Sequence, residues 1–229
     1  FGERHPDDEA YMPKPESFLA RRKGVPPATA GVEPILPVYD RELDWVRVVT
    51  VDDAGRVAQL IHYSREIVKA PKDASDLDEP HVPAEGDVVE VVRARVHHKD
   101  GTIAVPQEID EGDNVRIRWT DLKPGDVVEV ATRGYTELPI GDRGAPPFYF
   151  MDFAGGPSTH PVLYNEVVVR APKHRPLHVA LVHPEVGPTV QHEASTDARS
   201  GRSIERWVWA NPITLPDEPL APKASEIFP

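Results

Sequence analysis

Apolar and polar residues alternate with a period of two through most of the middle of this chain. Val115, Ile117 and Trp119 are separated by Arg116 and Arg118. That spacing puts three apolar side chains on one face of a strand and charged ones on the other. Residues 45–51 are dense in β-branched side chains, and Asp52-Asp53-Ala54-Gly55 interrupts them as a turn. Residues 57–63 alternate again and continue through Ile67 and Val68. Residues 88–97 form the longest predicted strand, with Val88, Val92, Ala94 and Val96 on one face and Arg93, Arg95 and His97 opposite. Lys99-Asp100-Gly101-Thr102 predicts a tight hairpin into Ile103, Ala104 and Val105, because Asp-Gly tolerates positive φ. Pro124-Gly125 predicts a second hairpin, from residues 115–119 into Val127, Val128 and Val130. Asp121 and Asp126 flank that turn, where aspartates bond their own backbone more often than a cation. Residues 162–170, 177–183, 190–194 and 204–209 complete the strands, with a turn over residues 197–202.

About ten short strands with turn signals between them, and no long helix, predict an all-β protein. The expected architecture is an antiparallel two-sheet β-sandwich with little helix. The one helical signal is Ser17-Phe18-Leu19-Ala20-Arg21-Arg22-Lys23-Gly24, with Ser17 placed to cap it and Gly24 to stop it. Residues 1–36 carry Pro6, Pro13, Pro15, Pro26, Pro27 and Pro34 and read as an N-terminal arm or linker that packs on the main body. Residues 37–211 are then the β-sandwich domain, and the proline-rich residues 212–229 an exit linker.

Composition narrows the function. Lys+Arg number 26 against 38 Asp+Glu, a net charge of −12. An acidic surface disfavours nucleic acid and anionic lipid as partners. Cysteine is absent, which removes disulfides, thiolate metal sites and a cysteine nucleophile together. No run approaches the roughly 18 apolar residues of a membrane span, so no membrane insertion is expected. The sequence opens on Phe1, as in a processed protein that has lost a signal peptide or an excised piece of a longer one.

Candidate chemistry is sparse. Ten histidines invite a metal, but His97 and His98 are strand neighbours and point apart, as do His178 and His183. His183 and His192 could meet across a hairpin, and two ligands fall short of a four-ligand site. Ser158, Ser195, Ser200 and Ser203 lack the G-x-S-x-G setting of a nucleophile elbow. In Gly155-Gly156-Pro157-Ser158-Thr159-His160 the glycines suit a turn. No catalytic residue, cofactor or metal is therefore assigned. The aromatic residues are the stronger candidates: Tyr149, Trp207 and Trp209 could form a stacking platform for a peptide or sugar, with core packing as the alternative. Trp207 and Trp209 share one strand face, and Ile204 and Val208 share the other.

Four motifs, taken in order, resemble the domain of unknown function found in front of bacterial transglutaminase-like domains. Asp53-Ala54-Gly55-Arg56 with His62-Tyr63 is similar to that family's opening hairpin. Residues 91–102, ending in Lys99-Asp100-Gly101-Thr102, look like its second hairpin, and Leu122-Lys123-Pro124-Gly125-Asp126-Val127-Val128-Glu129 resembles its central turn. Trp209-Ala210-Asn211-Pro212 and Glu218-Pro219-Leu220-Ala221-Pro222 resemble its exit. The likeness spans about residues 40–229; residues 1–36 lie outside it, and residues 135–144 depart from it. It implies a two-sheet sandwich without cofactor in an exported bacterial protein, acting as an accessory or recognition module. The partner would be a transglutaminase-like domain of the same chain, or a peptide or glycan. The family's Cys-His-Asp triad would belong to that partner domain, since this sequence has no cysteine. A stand-alone carbohydrate-binding module and a hydrolase using serine or carboxylates are the alternatives.

Overall fold

The computed structural model describes residues 7–22, 40–68, 88–111, 115–136, 162–175, 177 and 189–211. Among the described residues, a 3₁₀ helix, Asp7–Tyr11, and a short helix α1, Pro15–Arg21, precede ten strands. These are β1 (Asp40–Val51), β2 (Val57–Ile67), β3 (Val88–His97), β4 (Ile103–Ala104), β5 (Glu108–Glu111), β6 (Val115–Arg118), β7 (Val127–Thr136), β8 (Val162–Ala171), β9 (Gln191–Thr196) and β10 (Ser203–Asn211). The all-β class and the scarcity of helix are as the alternation predicts.

The layering differs from the expected pair of antiparallel sheets. Eight strands form one sheet in the order β4-β3-β7-β2-β1-β8-β10-β9, and β5 and β6 form a separate two-stranded ribbon. The large sheet is mixed, because β8 runs parallel to β1, with Val48 beside Val168. Parallel neighbours need a long connection, and period-two patterning carries no sign of strand direction.

Three predicted turns form as expected: Asp52–Gly55 closes β1 onto β2, residues 98–102 close β3 onto β4, and residues 197–202 close β9 onto β10. The Pro124-Gly125 turn does not pair β6 with β7. Instead β6 pairs with β5, while β7 pairs with β2 and β3. The turn caps the end of β2: Gly125 N–H donates to the Ile67 carbonyl at 2.6 Å, and Ile67 N–H donates to the Asp126 carbonyl at 2.8 Å. Gly125 has φ +88°, a region open to glycine at little cost. Asp126 accepts the Lys123 N–H at 2.9 Å, the backbone role expected of a turn aspartate.

Two further details depart from the pattern. A bulge between Val91 and Arg93 moves Val92 to the face carrying Arg93, Arg95 and His97, while Ala94 and Val96 stay opposite. In α1 the N-cap is Lys14 and Pro15 follows it; Ser17 sits in the first turn, its hydroxyl donating to the Lys14 carbonyl. Leu177 lies outside any strand, and residues 178–183 and 212–229 fall outside the described residues.

Each sheet face is covered differently. The β5–β6 ribbon lays Val115 and Ile117 on one face, where they and Trp119 pack with Ile67, Val96, Val128 and Val130. The alternation read in residues 115–119 thus marks a packed face, as predicted. Val49, Val57, Val167, Val169, Trp207 and Trp209 form a second cluster on this side. On the other face lie the 3₁₀ helix and α1, over Val46, Val48, Leu60, Ala131 and Val168.

Candidate functional site: a buried ionic cluster under the N-terminal segment

Strand register brings together residues far apart in the chain. Asp44 stands beside Ser64, Ser64 beside Glu129, and Glu129 beside Arg95. Four adjacent strands, β1, β2, β7 and β3, therefore carry acid, hydroxyl, acid and base across one face.

Glu129 is the centre and is fully buried. Its Oε2 accepts from Arg95 Nε at 2.5 Å and meets His97 Nε2 at 2.7 Å. Its Oε1 accepts from Arg93 at 3.1 Å and meets His62 Nε2 at 3.3 Å. Burial pushes the Glu129 carboxyl up, but the donors from His62, His97, Arg95 and Arg93 outweigh it and hold the group far below the ordinary carboxylate range. Asp44 behaves oppositely. Burial raises its carboxyl above the ordinary value, and His62, Ser64 and Arg21 offset only part of that. Glu129 takes hydrogen bonds from His62, His97, Arg95 and Arg93, whereas Asp44 is offset by the nearby His62, a hydrogen bond from Ser64 and the nearby Arg21.

Phe18 of α1 closes the cluster. It is fully buried, its ring centre 5.9 Å from that of His62 and 5.4 Å, edge-on, from that of His97. Arg21 reaches from the same helix to Asp44 at 3.0 Å and lies over the Tyr164 ring at 3.9 Å.

A serine, a histidine and an aspartate thus meet in one place, but in the wrong order for nucleophile activation. Ser64 Oγ donates to Asp44 Oδ1 at 2.7 Å, not to His62. His62 turns both ring nitrogens toward carboxylates, with Nδ1 3.5 Å from Asp44 Oδ1 and without a hydrogen-bond partner there. A general base needs a lone pair facing the nucleophile's proton. The arrangement neutralises charge instead. Among the described residues, no group of three or more His, Asp or Glu side chains has metal-binding geometry.

The residues singled out from sequence fall elsewhere. Tyr149, with Ser158 and the run 155–160, lies outside the described residues. Trp207 and Trp209 share one face as expected, and both are buried, at 9% and 7% exposure, against Val49, Val57, Val167 and Val169. His192 stacks flat on Trp207, with ring centres 5.0 Å apart. The core alternative therefore describes both tryptophans. His97 and His98 do point apart: His97 enters the cluster, and His98 meets Asp126 at 3.1 Å. Sequence reading missed Glu129, His62 and Asp44. The available signal was polar residues at inward positions of strongly β-branched strands.

The fold defines an all-β protein built on one large mixed sheet. Among solved structures, the chain is similar to a protein of Parabacteroides distasonis described as a candidate protease, at 15% identity and TM-score 0.58. The match covers 81% of this chain and 38% of that one, so this chain spans well under half its length. Yeast (Saccharomyces cerevisiae) leukotriene A4 hydrolase also aligns, at 8% identity and TM-score 0.35, over 84% of this chain and 33% of that one. No family model matches the chain, and no curated protein does.

Proposed function

We propose that the chain is a non-enzymatic accessory or recognition module of a larger, exported bacterial protein. It would hold or regulate a transglutaminase-like domain, or bind a peptide or glycan beside one. The observation that carries this reading is the closure of the Glu129 cluster. Among the described residues, the set nearest to catalytic composition is charge-neutralised, sealed by Phe18 and wired from Ser64 to Asp44. The resemblance motifs supply the second support. Their described residues fall on the β1–β2 turn, the β3–β4 hairpin, the turn that opens β7 and, for Trp209-Ala210-Asn211, the end of β10. The likeness in fold to a segment of a longer protein of Parabacteroides distasonis is compatible with a module's role. Among the described residues, no helix is long and apolar enough to cross a membrane.

The test is turnover by the purified chain on peptidase, esterase and acyl-transfer substrates. No activity above background is expected. Activity removed by Ser64→Ala or His62→Gln would overturn the proposal. Of the two ligand classes, burial of Trp207 and Trp209 favours peptide over glycan, and a glycan array is expected to be blank.

A further inference from the structure

The 16 residues from Asp7 to Arg22 lie across the sheet with the chemistry of a bound ligand. Asp7 pairs with Arg170 of β8, and Asp8 and Glu9 pair with Arg133 of β7 at 2.7 and 2.9 Å. Arg21 pairs with Asp44 of β1, and Arg22 with Glu66 of β2 at 3.0 Å. Tyr11 lies 5.4 Å beneath the Arg170 guanidinium. Phe18 is the one apolar side chain of the segment that is fully buried; Tyr11, Met12 and Leu19 are partly covered. An aromatic anchor ringed by charge pairs is the composition of a separable interface more than of a core.

The connection supports the same view. Arg22, the last described residue of the segment, and Arg41, early in β1, bind the same carboxylate, Glu66. Residues 23–39, with Pro26, Pro27, Pro34 and Pro37, bridge that small gap. Seventeen residues reach up to about 60 Å when extended. Far more chain is present than closure needs, enough to reach a neighbouring molecule. The surface beneath is mixed: Arg133, Arg170, Asp44 and Glu129 stand on it beside the apolar Val46, Val48, Leu60, Ala131 and Val168. On its own, a seven-residue helix is too short to persist in water.

We propose that this face of the sheet is a peptide-recognition surface. Its resident ligand is residues 7–22 of the same chain, held in cis and exchangeable for the same segment of a second copy. Exchange of the arm is independent of whether the module also serves a transglutaminase-like domain.

The test uses the whole chain with a protease site inserted between Pro27 and Ala28, cut after folding. A fluorescent synthetic peptide of residues 7–22 is then added, and its uptake is followed by anisotropy. The expected result is saturable uptake within hours, faster in high salt because the pairs made by Asp7, Glu9 and Arg22 are partly exposed and screened, although Asp8–Arg133 is buried. A peptide carrying Phe18→Ala should compete at least about tenfold less well, in line with the loss of a buried aromatic anchor. A peptide carrying Asp7→Lys should compete several-fold less well, since it repels Arg170. Near-UV circular dichroism of the nicked body should not change during exchange. No uptake at any salt concentration would overturn the proposal, and so would unfolding of the body when the segment leaves. Equal competition by the Phe18→Ala peptide would do the same.

Discussion

At the scale of single residues, Glu129 is the most consequential side chain. Replacing it with glutamine leaves Arg93 and Arg95, 31% and 26% exposed, and two buried histidines facing a neutral group. Removing one partner from a buried charge network typically costs about 3–5 kcal/mol. Urea unfolding of Glu129→Gln should show a loss of that order, with an unchanged slope. The pH dependence follows from the direction of the shift. The folded Glu129 carboxyl sits far below its ordinary value, so the unfolded chain takes up a proton that the folded chain refuses. Its stabilisation is complete above the unfolded value, near 4.5, and is lost as pH falls below it. The wild type should therefore lose stability more steeply than Glu129→Gln between neutral and acid pH. Asp44 and Asp8 carry the opposite sign, because burial raises both. Their substitution by asparagine should steepen the acid loss, as read from urea midpoints at each pH. None of this network was legible in the sequence. Alternation sets Glu129 opposite Val128 and Val130, but it cannot say that β7 lies between β2 and β3 and so brings Glu129 to His62 and His97.

At the scale of elements, the turns were the readable part. Gly125 and Gly101 both occupy positive φ, at +88° and +86°. A Cβ costs about 1–2 kcal/mol in that region. At Gly101 an added methyl meets open space, whereas at Gly125 it meets the end of the Lys99 side chain, which can swing aside. Gly101→Ala should thus cost only the backbone term, and Gly125→Ala the same or slightly more, as measured by thermal unfolding. The pairing of the flanking strands was not readable. Val115, Ile117 and Trp119 face the core as their spacing demands, but they reach it on a separate ribbon. A Pro-Gly turn fixes local geometry and leaves open which strand the chain joins next. The Val92 bulge shows the same limit, since one extra residue reverses the facing of everything before it.

At the scale of the whole molecule, the sheet combines local hairpins with distant unions, of which β1 with β8 spans more chain than β2 with β7. β1 meets β2 across a short turn, but it meets β8 at Val48 and Val168, 168 − 48 = 120 residues apart. Loop closure delays such long-range pairing relative to hairpins. Leu60 and Val168 are both fully buried in the same cluster, so their truncations separate the two events. Leu60→Ala, costing about 2–5 kcal/mol, should slow refolding. Val168→Ala should mainly speed unfolding, and the two arms of a chevron plot distinguish them. The period-two pattern supplied the strand number and the class, but the strand order required contacts that no local signal encodes. That order also has a cost during synthesis. Ribosomes add roughly 5–20 residues per second, so 120 residues take on the order of 6–24 s. For that interval the β1–β2 hairpin of a nascent chain presents Val46, Val48 and Val49 along a border with no neighbour, a template for sticking to other chains. The yield of native protein in a cell should therefore follow chaperone supply and translation speed more closely than the final free energy of the sheet.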